Sequence, residues 1–352
     1  MLYIKYYKYL LFNYIGKWVD QNLEVGILCR AIIVTVPMFI LAWWFNNINW
    51  QKVVIVTISV FIVQDRLNVP PLLIILHGLV IAIGFMLFFL SKPIPWLFVI
   101  ICGMMAALCI FLEEWNIKLR TLGNFIFLPA LYTACGYTEI SGLSRLQSAL
   151  MFIPYIMSAL LPVLILGIYK YYKFSVLHKI SFIKYMSRLH VKIEKLLLQG
   201  KYHVEPLIAM IIASTFTALF VEEKHIPQGQ WLIWSASSVI AGEIILAKRK
   251  FQERFIGCLL GVPVGVILAM CTTHSEFLLN LAALFVIITL VAFKQYIVGF
   301  GMRCAGVAFI IILSGGGLSG ATIRIVNVLL GGLIGFSTFL IVENIIKKYY
   351  KY

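Results

Sequence analysis

Long apolar runs without charge, separated by short polar stretches, set the pattern of the chain. They fall near residues 27–46, 50–64, 69–90, 94–112, 116–137, 147–168, 204–221, 230–246, 255–271, 277–293, 296–314 and 322–345. A bilayer's hydrocarbon core is about 30 Å thick and a helix rises about 1.5 Å per residue, so runs of about this length suit spanning helices. Lipid admits only helices or closed barrels, and these runs lack the period-2 alternation of barrel strands. The pattern predicts an all-α polytopic membrane protein of about twelve transmembrane helices. The second run, 50–64, is the shortest.

Composition agrees with that reading. Hydrophobic residues make up 62% of the chain and charged residues 12%, whereas a soluble domain carries about a quarter charged residues on its surface. The formal net charge of +15 is explained by where the cations fall. Eight of them (Lys170, Lys173, Lys179, Lys184, Arg188, Lys192, Lys195 and Lys201) lie between Tyr169 and His203, where Glu194 is the one acid. Lys248, Arg249, Lys250 and Arg254 form a second cluster, and Lys347, Lys348 and Lys351 a third. With both termini inside, all three clusters face the cytoplasm, as the positive-inside rule requires. The opposite side keeps Lys52, Lys92, Arg145, Lys224 and Arg324, five of the 29 cations. Nucleic acid is therefore not an expected partner. The segment Met1–Asp20 is basic and tyrosine-rich without a small-residue cleavage site, which suits a surface-lying helix rather than a signal peptide. The seven cysteines show no CxxC and no His/Cys cluster, so they read as packing residues, and neither metal nor cofactor is expected.

The basic segment divides the chain into an N-terminal half, 1–168, a linker, 169–203, and a C-terminal half, 204–352. The linker's Leu177, Ile180, Ile183, Met186, Leu189, Ile193 and Leu196 recur at helical spacing between lysines, as in an amphipathic cytoplasmic helix. Four features recur in order across the halves. Trp50 and Trp231 each open an apolar run, and Asp65-Arg66 and Lys248-Arg249-Lys250 follow them. Arg120 and Gly123 then match Arg303 and Gly306, and Ser141-Gly142 with Arg145 match Ser319-Gly320 with Arg324. Six helices per half would give the halves the same orientation: two parallel six-helix repeats, an arrangement used by transporters.

The C-terminal half carries a more particular pattern. Gln230-Trp231 opens one apolar helix, Arg254-x-x-Gly257-x-x-x-Gly261-x-x-x-Gly265 lies in the next, and Arg324-x-x-Asn327-x-x-x-Gly331-Gly332-x-x-Gly335 lies in the last. This resembles the fusaric-acid-resistance and aromatic-acid-exporter family of bacterial inner-membrane proteins, over roughly 204–345. In the first half Pro70-Pro71 and His77-Gly78 stand where Arg254 and Gly257 stand later, and the large cytoplasmic domain of longer members is replaced by the short linker. The resemblance implies efflux of small organic acids from the cytoplasm across the inner membrane. It also implies a periplasmic adaptor protein as a partner beside membrane lipid and the anion itself; homo-oligomerisation stays open.

Several polar residues inside the runs are candidate site residues. Gly257, Gly261 and Gly265 fall four apart, as do Asn327, Gly331 and Gly335, and each row lets a neighbouring backbone approach closely. Arg303 lies about seven residues into its run, roughly 10 Å deep, where a charge costs at least ~2.5 kcal/mol without water, a partner or substrate. It either snorkels to the interface or, with Arg120, offers a carboxylate a pair of forked cations. Trp234 is the tryptophan best placed to face a bound aromatic ring; the others read as interface belts. His77 in mid-run is either a proton relay or a structural histidine bonded to a backbone carbonyl. Glu243 is either a proton site or a partner of the Lys248 cluster, and Glu343 pairs with Lys347 at i+4.

These features favour a secondary transporter exporting small organic anions, aromatic ones among the candidates. No GxxxxGK[ST] loop occurs, so ATP hydrolysis by this chain is not expected. A passive anion channel would use the same residues, and a membrane scaffold needs none of them. An enzyme needs a clustered acid/base or nucleophile set, and only scattered Glu139, Glu222, Glu223, His225, His274 and Glu276 lie on the non-cytoplasmic side.

Overall fold

The computed structural model describes residues 17–115, 119–178, 204–240 and 244–350. The regular elements among them are helices: α1 Val25–Trp44, α2 Asn49–Lys52, α3 Val54–Leu67, α4 Pro71–Ser91, α5 Pro95–Trp115, α6 Leu119–Gly136, α7 Arg145–Ser158 and α8 Leu161–His178 form the first half. The second half holds α9 Val204–Lys224, α10 Gln230–Val239, α11 Ile244–Met270, α12 Glu276–Ile288, α13 Tyr296–Leu313 and α14 Gly317–Tyr350. Residues 1–16, most of the basic linker and Glu243 lie outside the described residues.

Among the described residues, seven helical stretches are long and apolar enough to cross a membrane: Val25–Trp44, Pro71–Ser91, Arg145–Lys173, Val204–Lys224, Ile244–Met270, Tyr296–Leu313 and Gly317–Lys348. The protein is a multi-pass membrane protein. Its surface suits lipid, with Ile33, Leu260 and Met270 all more than 60% exposed. Pro95–Cys109, Leu122–Gly136 and Glu276–Ile288 are shorter apolar helices.

The second and eighth expected spans are short and buried. The second is α3, 14 residues long, and the eighth is α10, 10 residues long. At about 1.5 Å per residue neither reaches across about 30 Å of hydrocarbon. Both are interior elements. Every side chain of α3 from Val54 to Gln64 is buried, as are Leu232, Ile233, Ser235, Ala236, Ser237 and Val239 of α10. A helix buried on all sides has the same apolar composition as one facing lipid, so hydropathy alone does not separate them.

Local chemistry sets the element ends. Asn68 adopts a left-handed conformation (φ 51°) after α3, and Pro70-Pro71 then starts α4 with a proline in its first turn. Ser144 and Gln147 close a reciprocal capping box on α7.

The chain forms two compact units. The larger takes Pro37–Gln252 with Thr322–Tyr352. Its core joins Ala209, Met210 and Ala213 of α9 to Ala236 and Val239 of α10 and Phe339 of α14. An aromatic cluster fills the first half, with the Tyr137 ring 4.3 Å from Phe152 and 5.4 Å from Phe89. There α4 packs on α6, where Gly84 meets Ala130. Thr57 of α3 donates to the carbonyl of Ala159, beside the start of α8, at 3.0 Å.

The smaller unit takes Met1–Val36 with Glu253–Ala321. Its α12 and α13 lie side by side, and the turn between them is tied to the segment before α1. Glu24 N–H donates to the Ala292 carbonyl and Lys294 N–H to the Asn22 carbonyl, both at 2.9 Å.

Candidate functional site

Small residues bring the helices of the smaller unit into contact, and the arginines follow. A Cβ at Gly261 would overlap the Gly301 carbonyl, and one at Gly265 the Ala305 carbonyl; one at Gly257 would lie 3.1 Å from the Gly301 nitrogen. The expected row Gly257, Gly261, Gly265 thus lies directly on the backbone of α13. Arg254 stands three residues before Gly257 on the same face of α11, and burial follows: it is 3% exposed. Its Nε donates to the Tyr296 hydroxyl at 2.8 Å, and its guanidinium lies 4.9 Å from the Phe300 ring centre.

Arg303 reaches the same ring, with its guanidinium 5.9 Å from the centre of Phe300. It does not stand as an isolated charge. Its Nε donates to Thr289 Oγ1 at 3.2 Å and its Nη2 to the Thr289 carbonyl at 3.1 Å. Thr289 thereby takes two of the five guanidinium donors, while the side chain stays half-buried. Phe300 is buried, so two cations share one desolvated aromatic ring. Cation–π contacts of that kind contribute up to about 2 kcal/mol, which offsets much of the cost of a charge at this depth. The chemistry of such a cluster is recognition of a planar anion: forked donors for a carboxylate, and an aromatic edge for an attached ring.

A second arrangement of the same kind stands in the larger unit. Asn327, Gly331 and Gly335 line α14, and Cβ atoms at Gly331 and Gly335 would overlap the carbonyls of Leu232 and Ala236 on α10. Arg324, three residues before Asn327, is 5% exposed, and its guanidinium lies 3.1 Å from the centre of the Trp231 ring. Trp231 in turn packs against Tyr132 at 5.4 Å and Trp234 at 5.5 Å. Each glycine row is therefore headed by an arginine that stacks on an aromatic residue of the helix on which the row lies. By sequence, Arg254 and Arg324 stand at the heads of these rows and count among the cations of the two membrane sides, not among the candidate site residues. The signal that finds them is register: Arg, then Gly or Asn at i+3, then Gly at i+7 and i+11, in both helices.

The other expected residues are dispersed. Trp234 has its ring against Trp231. His77 is buried, with Nε2 3.1 Å from the Phe125 carbonyl. A carbonyl only accepts, so Nε2 carries a proton in this contact. Arg120 is the second residue of α6, and its side chain lies outside the described residues, as does Glu243. The structure thus brings Arg303 together with Arg254, and the expected pairing with Arg120 is not among the described contacts.

Residues 204–338, which carry both arginine-headed rows, match the family model described as fusaric acid resistance protein-like. Over this stretch the chain is similar to the fusaric acid resistance protein-like family. The matched stretch runs from α9 into α14 and includes the Arg254–Phe300–Arg303 cluster and the Arg324–Trp231 stack. No curated protein and no solved structure matches the chain.

Proposed function

We propose that the protein is a secondary transporter that exports small organic anions, aromatic carboxylates among them, with Arg254 and Arg303 as the recognition pair. The observation that carries this reading is the sharing of Phe300 by two guanidinium groups inside the matched stretch. Arg303 is half-buried rather than sealed, which leaves its fork within reach of a carboxylate, while Tyr296 and Thr289 hold the two side chains in place. The match to the fusaric acid resistance protein-like family over residues 204–338 supports transport in general; the anion and its direction are our reading.

The two-repeat architecture belongs to the same reading. Two packing pairs recur in each half. The third element meets the fifth (α4 on α6, α11 on α13), and the short second element meets the last (Thr57 to Ala159, Ser235 Oγ to the Val328 carbonyl at 2.6 Å). With the basic clusters inside, both termini face the cytoplasm and the membrane is the bacterial inner membrane.

A substrate screen tests the function. Accumulation of aromatic and aliphatic carboxylates is compared in cells with and without the chain. At least one aromatic carboxylate should accumulate less when the chain is present. Equal accumulation of every acid tested contradicts the proposal. Dependence of the flux on a proton gradient in proteoliposomes then separates a coupled transporter from a passive channel.

A further inference from the structure

The turn between α9 and α10 roofs a cavity of about 360 Å³ in the larger unit. Small-molecule sites occupy about 300–1,000 Å³, so this one selects a small ligand. Its polar wall holds Lys92, which follows α4, and Glu222, in the last turn of α9, with Gln228 and Gln230 from the turn; Phe98 and Ile233 supply an apolar side. It shares no residue with the arginine cluster.

The roof is held firmly. Asn327 Nδ2 donates to the carbonyls of Pro227 at 2.9 Å and Gln228 at 3.3 Å. His225 and Gln228 both adopt left-handed backbone conformations, with φ of 49° and 55°, which non-glycine residues seldom do. A Cβ at Gly229 would overlap the Val221 side chain, so the absence of one lets the turn press onto α9. Strained backbone held by its surroundings is a recurring mark of ligand sites, and a fixed wall lowers the ordering cost of binding.

The charges name the ligand class. Lys92 and Glu222 act on each other electrostatically but are not among the ion pairs closed by the described residues. A simple carboxylate entering the cavity meets the repulsion of Glu222, and a simple amine meets that of Lys92. A ligand carrying both charges satisfies both. We propose that this cavity binds a small zwitterion on an apolar frame, its ammonium at Glu222 and its carboxylate at Lys92.

Cys135 lines the same cavity and supplies the probe. The experiment uses the full chain in intact cells, with Cys29, Cys102, Cys109, Cys258, Cys271 and Cys304 replaced by serine, and a membrane-impermeant maleimide. Three probes are compared for protection of Cys135: phenylalanine, 3-phenylpropanoate and 2-phenylethylamine. Phenylalanine should protect at a concentration about tenfold or more below the other two, the size expected of one added charge-assisted hydrogen bond. Glu222→Gln should remove its advantage over phenylpropanoate, and Lys92→Gln its advantage over phenylethylamine. Thermal stabilisation of the unmodified protein in detergent by the same three compounds should give the same order, independently of the cysteine replacements. Stabilisation by phenylalanine that neither Glu222→Gln nor Lys92→Gln reduces overturns the proposal, as does the absence of any effect of phenylalanine on the unmodified protein.

Discussion

Arg303 illustrates how much a single intramembrane charge reveals. Depth along the chain marks it as costly, and two bonds to Thr289 together with the Phe300 ring show how the cost is met. Arg254 is equally telling and was hidden by its neighbours, because Lys248, Arg249 and Lys250 make it look like one more cytoplasmic cation. Its hydrogen bond to Tyr296 and its cation–π contact with Phe300 both use the guanidinium. Lysine keeps the charge but provides neither the fork nor the stacking plane. Arg254→Lys should therefore lower anion flux about tenfold, the worth of one charge-assisted hydrogen bond of about 1.5 kcal/mol, with the protein still folded. Initial rates at low substrate concentration and matched protein level check this. His77, bonded to the Phe125 carbonyl, is placed to hold α4 against α6 rather than to pass protons, so His77→Asn should leave any proton dependence of the flux unchanged.

At the scale of elements, the small-residue rows decide which helices touch. Gly261 is pressed against the Gly301 carbonyl, whereas a Cβ at Gly136 would meet nothing within 4 Å. Gly261→Ala should thus cost about 1–3 kcal/mol, as overpacking of a tight core does. Gly136→Ala should be neutral within about 0.5 kcal/mol. Thermal melting of the two variants in detergent tests the pair, and equal melting would show that the face does not carry the packing. Much of this level was legible in the sequence. The long runs appear as helices, and the two rows at four-residue spacing lie on facing backbones because side-chain size alone sets that approach. Less legible were α3 and α10. Their Trp-led runs look like spans, but Val54–Gln64 is buried on every side, and hydropathy does not distinguish a protein neighbour from lipid. Arg324 was misread for a related reason. Its burial follows from sharing a helix face with Asn327 and Gly331, which hydropathy averages away.

For the whole molecule, the distribution of charge predicts an orientation. Five of the 29 cations fall on the proposed outer side, so reporter fusions after Gly200 and at Tyr352 should report cytoplasm, and one near His225 the opposite compartment. A non-cytoplasmic signal from the Gly200 fusion would break the division into two halves and the parallel repeat with it. The central claim, that this membrane protein moves organic anions past a two-arginine cluster, meets its most direct test in Arg303→Gln. The variant is reconstituted at matched protein level, and efflux of the carboxylate best exported in the accumulation screen is followed from preloaded proteoliposomes. Glutamine removes a charge whose burial costs at least ~2.5 kcal/mol, so the protein should stay folded. Losing a charged hydrogen bond worth about 1.5–3 kcal/mol should slow efflux about 10- to 100-fold, with Arg303→Lys falling between. Efflux from the glutamine variant at the wild-type rate would make Arg303 an anchor for α13 and contradict the account.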